Sequence, residues 1–406
     1  TVSLTYYAND GTDTKEPRTG ILNNEQVQLA GQIFTRKGYT FKGWSTTANG
    51  EVEFSSSAWA RVNKDGSNDL YAVWEANTTE YTVEFYYQDI NTGKYPATAT
   101  KSEDRFAKTD DSVWVTEDDK KPSSASYVYD DAAGNILKGT IPAEGRLVLK
   151  VYFKLNTASY TIHHYLLGTT VKVADDQTGT QTIGTTLTAS AAAKDKLYAD
   201  YKDATATEES LAQTITISAS GNVITVYYTV PLTLTAKDAS KTYDGEPLTQ
   251  PGFDITGLVN GDTKENFSLF MTAESTITNA GTQRNVINQN TVAYSRDGKT
   301  TLPGYYTVKY EPGMLTVNKI TAKVTVTVTE KSGSATYDGK EHTVYGYETM
   351  TANNDFYDVK TSVTETSTDA WTAKGIDVGE YPVGIKASDF KNINKNFTNV
   401  EFVIMD

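Results

Sequence analysis

The chain has 406 residues with a formal net charge of −14 and 27 tyrosines, and it contains no cysteine. Its lysines form no stripe that would grip phosphates, which argues against nucleic acid and an anionic membrane surface as partners. Lack of Cys excludes disulfides, a thiolate nucleophile, Cys-ligated zinc and a Cys-derived thioester.

The length allows two to five domains. Thr, Val and Tyr dominate between turn residues, a composition that suits half-buried, pleated surfaces. No apolar run reaches the roughly 18 residues that cross a bilayer. The start at Thr1 and the stop at Asp406 read as a segment cut from a longer protein, with signal and anchor expected outside it.

In chain order, Val2–Tyr7 is strand-like, and a short helix is expected around Asn23–Ala30. Alternating aromatics and glycines follow in the stretch from Arg36 through Gly38, Tyr39, Phe41, Gly43 and Trp44 to Gly50, closed by Leu70–Glu75. Asp-Gly or Asn-Gly pairs begin at Asp10, Asn49, Asp65, Asp244, Asn260, Asp297 and Asp338. Each tolerates the positive φ of a tight hairpin, which predicts antiparallel pairing.

Internal repeats set the expected boundaries. Tyr81-Thr82-Val83-Glu84-Phe85-Tyr86-Tyr87 returns as Tyr160-Thr161-Ile162-His163-His164-Tyr165-Leu166. Lys241-Thr242-Tyr243-Asp244-Gly245 returns as Ala335-Thr336-Tyr337-Asp338-Gly339. Five modules are expected: 1–79, 80–156, 157–230, 231–319 and 320–406. Linkers such as Glu75–Thr79 are very short. A second helix is expected over Ala189–Tyr201, with Thr188 or Ser190 as cap. The expected fold class is mainly β (β-rich α+β): small β-grasp-like or sandwich-like modules in tandem, in an elongated array.

Residues 1–77 resemble an internalin B-type (Listeria–Bacteroides) repeat through Tyr6–Gly11, Gly38–Trp44 and Leu70–Trp74. The units spanning 80–230 resemble MucBP (mucin-binding protein) repeats through Tyr81–Tyr87, Lys120–Tyr129 and Tyr152-Phe153. Residues 231–319 resemble an MBG domain through Lys241–Gly245, with 320–406 a more divergent relative. The resemblance implies an extracellular protein of a Gram-positive cell surface, an adhesin or its stalk. As partners it implies host mucin, a glycan or an extracellular-matrix protein.

Of the tryptophans, Trp44 reads as a core aromatic, with sugar stacking as its alternative, and Trp74 as a packing residue. Trp59, Trp114 and Trp371 lie in more polar sequence and are the candidates for exposed ligand stacking. His163 and His164 are successive on a strand and point to opposite faces, so they do not chelate one ion. His342 has no local partner. Asn63–Asp69 resembles a calcium loop faintly, but its glycine comes fourth and Trp74 stands where a bidentate Glu belongs.

The acidic pairs Asp110-Asp111, Asp130-Asp131, Asp175-Asp176 and Glu208-Glu209 have no evident cleft between them, and no Gly-x-Ser-x-Gly elbow exists. Lys–Asn isopeptide bonds are conceivable, though no pair can be chosen. No catalytic residue, metal or cofactor is expected. The leading reading is a non-enzymatic stalk or adhesion segment that spaces or presents a binding head. The alternatives are direct mucin binding by the MucBP-like pair, or the accessory region of a larger surface enzyme.

Overall fold

The computed structural model describes residues 1–366 and 370–406 and divides the chain into two units. The first comprises Thr1–His163, Asp176–Ser190 and Leu211–Thr225; the second comprises His164–Asp175, Ala191–Ser210 and Val226–Asp406. Strands dominate both.

In the first unit, Val2–Tyr7 sits between Lys15–Ile21, its antiparallel neighbour, and Asp69–Ala76, to which it runs parallel. Tyr39–Ser45 completes this sheet antiparallel to Asp69–Ala76, with a register shift between Phe41 and Gly43. Gly43 has φ 147°, and a Cβ there would lie 2.4 Å from the Phe54 carbonyl oxygen, so glycine is required at the bulge. The bulge turns Trp44 inward, where it is fully buried with Leu4, Tyr6, Val27, Val62 and Ala72.

A second sheet orders Tyr127–Tyr129, Leu147–Leu155, Thr78–Tyr87 and Lys101–Lys108. Its central pair, Thr78–Tyr87 with Leu147–Leu155, is parallel over seven residue pairs from Tyr81↔Leu147 to Tyr87↔Phe153. Alternation sends Val83, Phe85, Leu149, Val151 and Phe153 into the core.

One residue, Asn77, separates Asp69–Ala76 from Thr78–Tyr87. Its N–H donates to the Gly38 carbonyl, and its own carbonyl accepts from Thr109 N–H, both at 2.9 Å. Asn156 stands likewise between Leu147–Leu155 and Thr157–Leu166, donating to Ser126 and accepting from Ile183. Thr157–Ile162 then pairs antiparallel with Gln177–Thr182.

In the second unit, Val230–Ala236 of the strand Asn222–Ala236 takes Phe253–Thr256 as an antiparallel neighbour and Tyr306–Glu311 as a parallel one. A further sheet places Gly313–Asn318 between Ala239–Thr242, parallel, and Gly281–Asn285, antiparallel. Leu234, Ala236, Leu269 and Ile287 form the core here. The last sheet has Val324–Glu330 at its centre, antiparallel to Tyr347–Ala352 and parallel to Val400–Met405.

Both expected helices are corrected. Glu25–Gln28 is a strand paired with Trp59–Val62, and Asn24 at φ 66° interrupts any helical turn. Over Ala189–Tyr201 the backbone holds two 3-10 turns, Lys194–Lys196 and Ala199–Tyr201, with extended Ala193 and Tyr198 before them. Ala192 N–H is claimed by the Tyr228 hydroxyl at 2.7 Å, a tertiary partner that outweighs the helix propensity of the alanine run. A β-grasp helix laid across the sheet is therefore absent at both expected positions.

Candidate functional site

The three candidate tryptophans part ways. Trp59 opposes Gln28 in the Glu25–Gln28/Trp59–Val62 pair and is 61% exposed. Trp114 opposes Lys138 in the pairing of Ser112–Trp114 with Lys138–Thr140 and is also 61% exposed.

Trp371, expected at the surface, is only 4% exposed. It stacks on Phe390 at 5.2 Å, and its indole N–H donates to the Asp389 carboxylate at 3.0 Å. Its polar sequence neighbours hid a core position, because Thr372–Gly375 pairs with His342–Tyr345 and folds Trp371 inward. Residues 367–369 lie outside the described residues. Phe106 and Phe270 are more exposed than either remaining tryptophan, at 68% and 72%, and sequence reasoning passed over them. The alternation misleads for Phe106: it falls on the strand face opposite Glu103 and Arg105, a pattern that reads as buried, yet Glu103 and Arg105 are the half-buried side and Phe106 the exposed one.

On the outer face of the Thr78–Tyr87 sheet, Tyr86 stacks on Tyr152 at 4.7 Å, and Tyr95 meets Tyr152 edge-on at 5.0 Å. Tyr95 donates its hydroxyl to Asp130 at 2.6 Å, and Tyr86 donates to Glu84 at 2.6 Å. Burial and the Asp130 acceptor push the Tyr95 hydroxyl far above its ordinary value, while the Tyr95 donor holds Asp130 low. Tyr95 is thereby held as the phenol and Asp130 as the carboxylate that accepts its hydrogen bond.

The densest polar cluster surrounds Asp262, whose side chain is fully buried. Its carboxylate accepts from Tyr294 at 2.7 Å, Tyr305 at 2.9 Å, Tyr306 at 2.7 Å and Arg296 at 2.8 Å. Burial pushes the acid up, but the bonds from Arg296 and the three tyrosines outweigh it and hold it below its usual range. Tyr294 is pushed up to about 12 by burial and then by Asp262. These partners lie 32 to 44 residues from Asp262 in sequence, beyond the reach of local patterning. With four donors converging on one buried carboxylate, the arrangement ties a fold together and leaves no room for a substrate.

The remaining candidates resolve into structural partners. His163 Nδ1 lies 3.0 Å from Asp176, buried His164 Nδ1 lies 3.0 Å from the Tyr228 hydroxyl, and His342 Nε2 lies 3.0 Å from Asp338. In Asn63–Asp69 the Asn68 amide donates to the Asn63 carbonyl and Lys64 N–H to Asn23, the bonding of a turn. Asp110 accepts from Tyr39 and Asp111 from the Lys108 backbone. Glu208 and Glu209 open the four-residue helical turn Glu208–Leu211. Among the described residues no three His, Cys, Asp or Glu groups gather as metal ligands.

Against known families, residues 3–73 match the Listeria-Bacteroides repeat domain and residues 232–316 match the MBG domain (YGX type). No curated protein matches the chain. Among solved structures, the type 2 repeat of the mucus binding protein MUB from Lactobacillus reuteri is 17% identical. The match covers 37% of this chain and 98% of that one, with a TM-score of 0.14. Mub-RV is also 17% identical, over 36% of this chain and 97% of that one, with a TM-score of 0.12. The two family matches support an adhesion-type surface protein built from these repeats, and repeat domains of this kind point away from catalysis. No described helix is long and apolar enough to cross a membrane.

Proposed function

We propose that this chain is a non-enzymatic stalk segment of a bacterial surface adhesin, spacing or presenting a binding head carried elsewhere. One observation carries the reading: at Asn77 and Asn156 a single residue joins consecutive sheets, and its backbone is hydrogen-bonded on both sides. A joint of that kind fixes direction and transmits position. Consistent with a spacer, the richest polar clusters, at Asp262 and around Tyr95, are filled by their own side chains. The proposed location is the extracellular face of the cell.

The test is retention of the whole chain on immobilised mucin, together with a glycan array. No retention and no array signal supports the stalk. Saturable binding sinks it.

A second reading, binding of host mucin glycan or protein by residues 80–230, has one observation in its favour. Trp114 presents an exposed indole there, a surface on which a sugar ring stacks. On that reading Trp114→Ala abolishes mucin retention while leaving the melting temperature unchanged.

A further inference from the structure

Among the described residues five sheets share one topological feature. Val2–Tyr7 runs parallel to Asp69–Ala76, Thr78–Tyr87 to Leu147–Leu155, Asn222–Ala236 to Tyr306–Glu311, Ala239–Thr242 to Gly313–Asn318, and Val324–Glu330 to Val400–Met405. In each pair one strand lies early and the other late along its stretch of chain. The pairings extend over three residue pairs (Thr5↔Asp69 to Tyr7↔Tyr71), seven, six (Val230↔Tyr306 to Thr235↔Glu311), four (Ala239↔Leu315 to Thr242↔Asn318) and six (Val324↔Val400 to Thr329↔Met405).

Direction follows from this. In a parallel pair the incoming end of the first strand and the outgoing end of the last lie at opposite ends of the ladder. Tension along the chain therefore slides the two strands past one another. The hydrogen bonds of a parallel ladder run across the strands at even spacing, so sliding loads them together. An antiparallel terminal pair would present both chain ends at one end of the ladder and open bond by bond.

Water is the usual competitor for such bonds, and here the core side excludes it. Val83, Leu149, Val151 and Phe153 are fully buried along the second pair, and Val324, Val326 and Val328 along the last. A backbone bond is worth little net where water can replace it at once, and far more where it must break dry.

The geometry points to a load-bearing role: where the parallel pair joins the first and last strands of its stretch, as in Val2–Tyr7/Asp69–Ala76, Thr78–Tyr87/Leu147–Leu155 and Val324–Glu330/Val400–Met405, it is a shear clamp that holds the module folded under tension on the chain. The proposal deepens the stalk reading and rests on it for biological purpose, yet the mechanics are read out separately.

Absence of cysteine makes the test direct, because two introduced thiols are unique attachment points for single-molecule pulling on the whole chain. Thr78→Cys with Thr157→Cys pulls the second sheet along its terminal strands. Thr78→Cys with Arg146→Cys pulls it from one end, since residue 146 directly precedes Leu147, the partner of Tyr81. All three positions are exposed, and matching melting curves of the two variants establish that both are folded.

We expect the first pair of handles to require a several-fold higher unfolding force than the second at the same pulling speed. Equal forces overturn the clamp. Mucin binding by the chain overturns the stalk reading and leaves this force ratio untouched.

Discussion

The Tyr306 hydroxyl donates to the Asp262 carboxylate at 2.7 Å, and Tyr305, its neighbour in the chain, donates to the same oxygen at 2.9 Å. Consecutive tyrosines converge on one atom because Tyr305 lies just before the Tyr306–Glu311 strand begins, outside the alternation that would send the two rings apart. A carboxylate so deep is tolerable only while its donors stay in place.

Asp262→Asn is therefore expected to be severe. The amide presents N–H groups to donors that need an acceptor, at a cost of roughly 3 kcal/mol. Tyr306→Phe removes one donor of four and costs about 1 kcal/mol. Calorimetry of the whole chain should show one transition lowered strongly by the first change and slightly by the second, with the others fixed. Equal effects would mean that the charge is dispensable.

Acid should loosen the loop that Asp119 holds. Arg105 donates to both of its oxygens, at 2.6 and 2.9 Å, and Thr116 N–H adds a third bond. Chiefly through Arg105, the Asp119 acid is lowered from 3.8 to about 2. A lowered folded-state value contributes stability that is complete above the unfolded value near 3.8 and is lost as pH falls through 2. The amount is on the order of 2 kcal/mol. With Arg105→Gln, exchange of the Thr116 amide in acid should accelerate at a higher pH than in the parent.

Tryptophan substitutions should divide by burial. Trp371→Ala empties a core site and is expected to cost about 3–5 kcal/mol. Trp59→Ala and Trp114→Ala should change stability by no more than about 0.5 kcal/mol. Fluorescence quenching by acrylamide offers a second check, since Trp59 and Trp114 are open to it and Trp371 is not.

Gly20 and Gly38 make a matched pair, both at φ 80°. A Cβ on Gly20 meets nothing within 4 Å; on Gly38 it would stand 2.7 Å from Thr109 Cγ2 and 2.9 Å from Ala143 Cα. Gly20→Ala pays only the left-handed backbone cost, about 1 kcal/mol. Gly38→Ala adds a clash against backbone, and should also speed exchange of the Asn77 and Thr109 amides, which lie on either side of the joint. Identical behaviour of the two variants would show that the 36–39 turn is not seated on its neighbour.

Strands were legible from alternation and some antiparallel turns from short-range rules, whereas the parallel pairs, such as Thr78–Tyr87 with Leu147–Leu155, join strands too far apart in sequence for local signals to foretell. Asp10-Gly11 lies between the antiparallel strands Val2–Tyr7 and Lys15–Ile21, and Asp297-Gly298, with positive φ at both residues, lies between the bridged Arg296 and Lys299; Asn260-Gly261 has the same φ signs but leads into the 3-10 turn Lys264–Asn266 instead of a hairpin. Trp44 was placed in the core by the Gly43 that precedes it. The helix expected over Ala189–Tyr201 failed because Tyr228, 36 residues beyond Ala192, takes a backbone donor that a helix needs. Trp371 was misplaced for a related reason: polar neighbours describe a strand's outer face, whereas its burial is decided by Phe390 and Asp389, later in the chain. The Asp262 cluster was invisible, since nothing near residue 262 marks Tyr294, Arg296, Tyr305 and Tyr306 as its partners.

The single-residue joints at Asn77 and Asn156 bear on survival outside a cell. Proteases cut slack, exposed chain, and a residue bonded on both sides between two strands offers none. Nicks should fall instead in the loops inside each sheet's span, such as the stretch around Gly93 between Thr78–Tyr87 and Lys101–Lys108. A break there leaves Thr78–Tyr87 still paired to Leu147–Leu155 and the joints on either side intact. Digestion then shows as internal scars in a chain that still holds end to end.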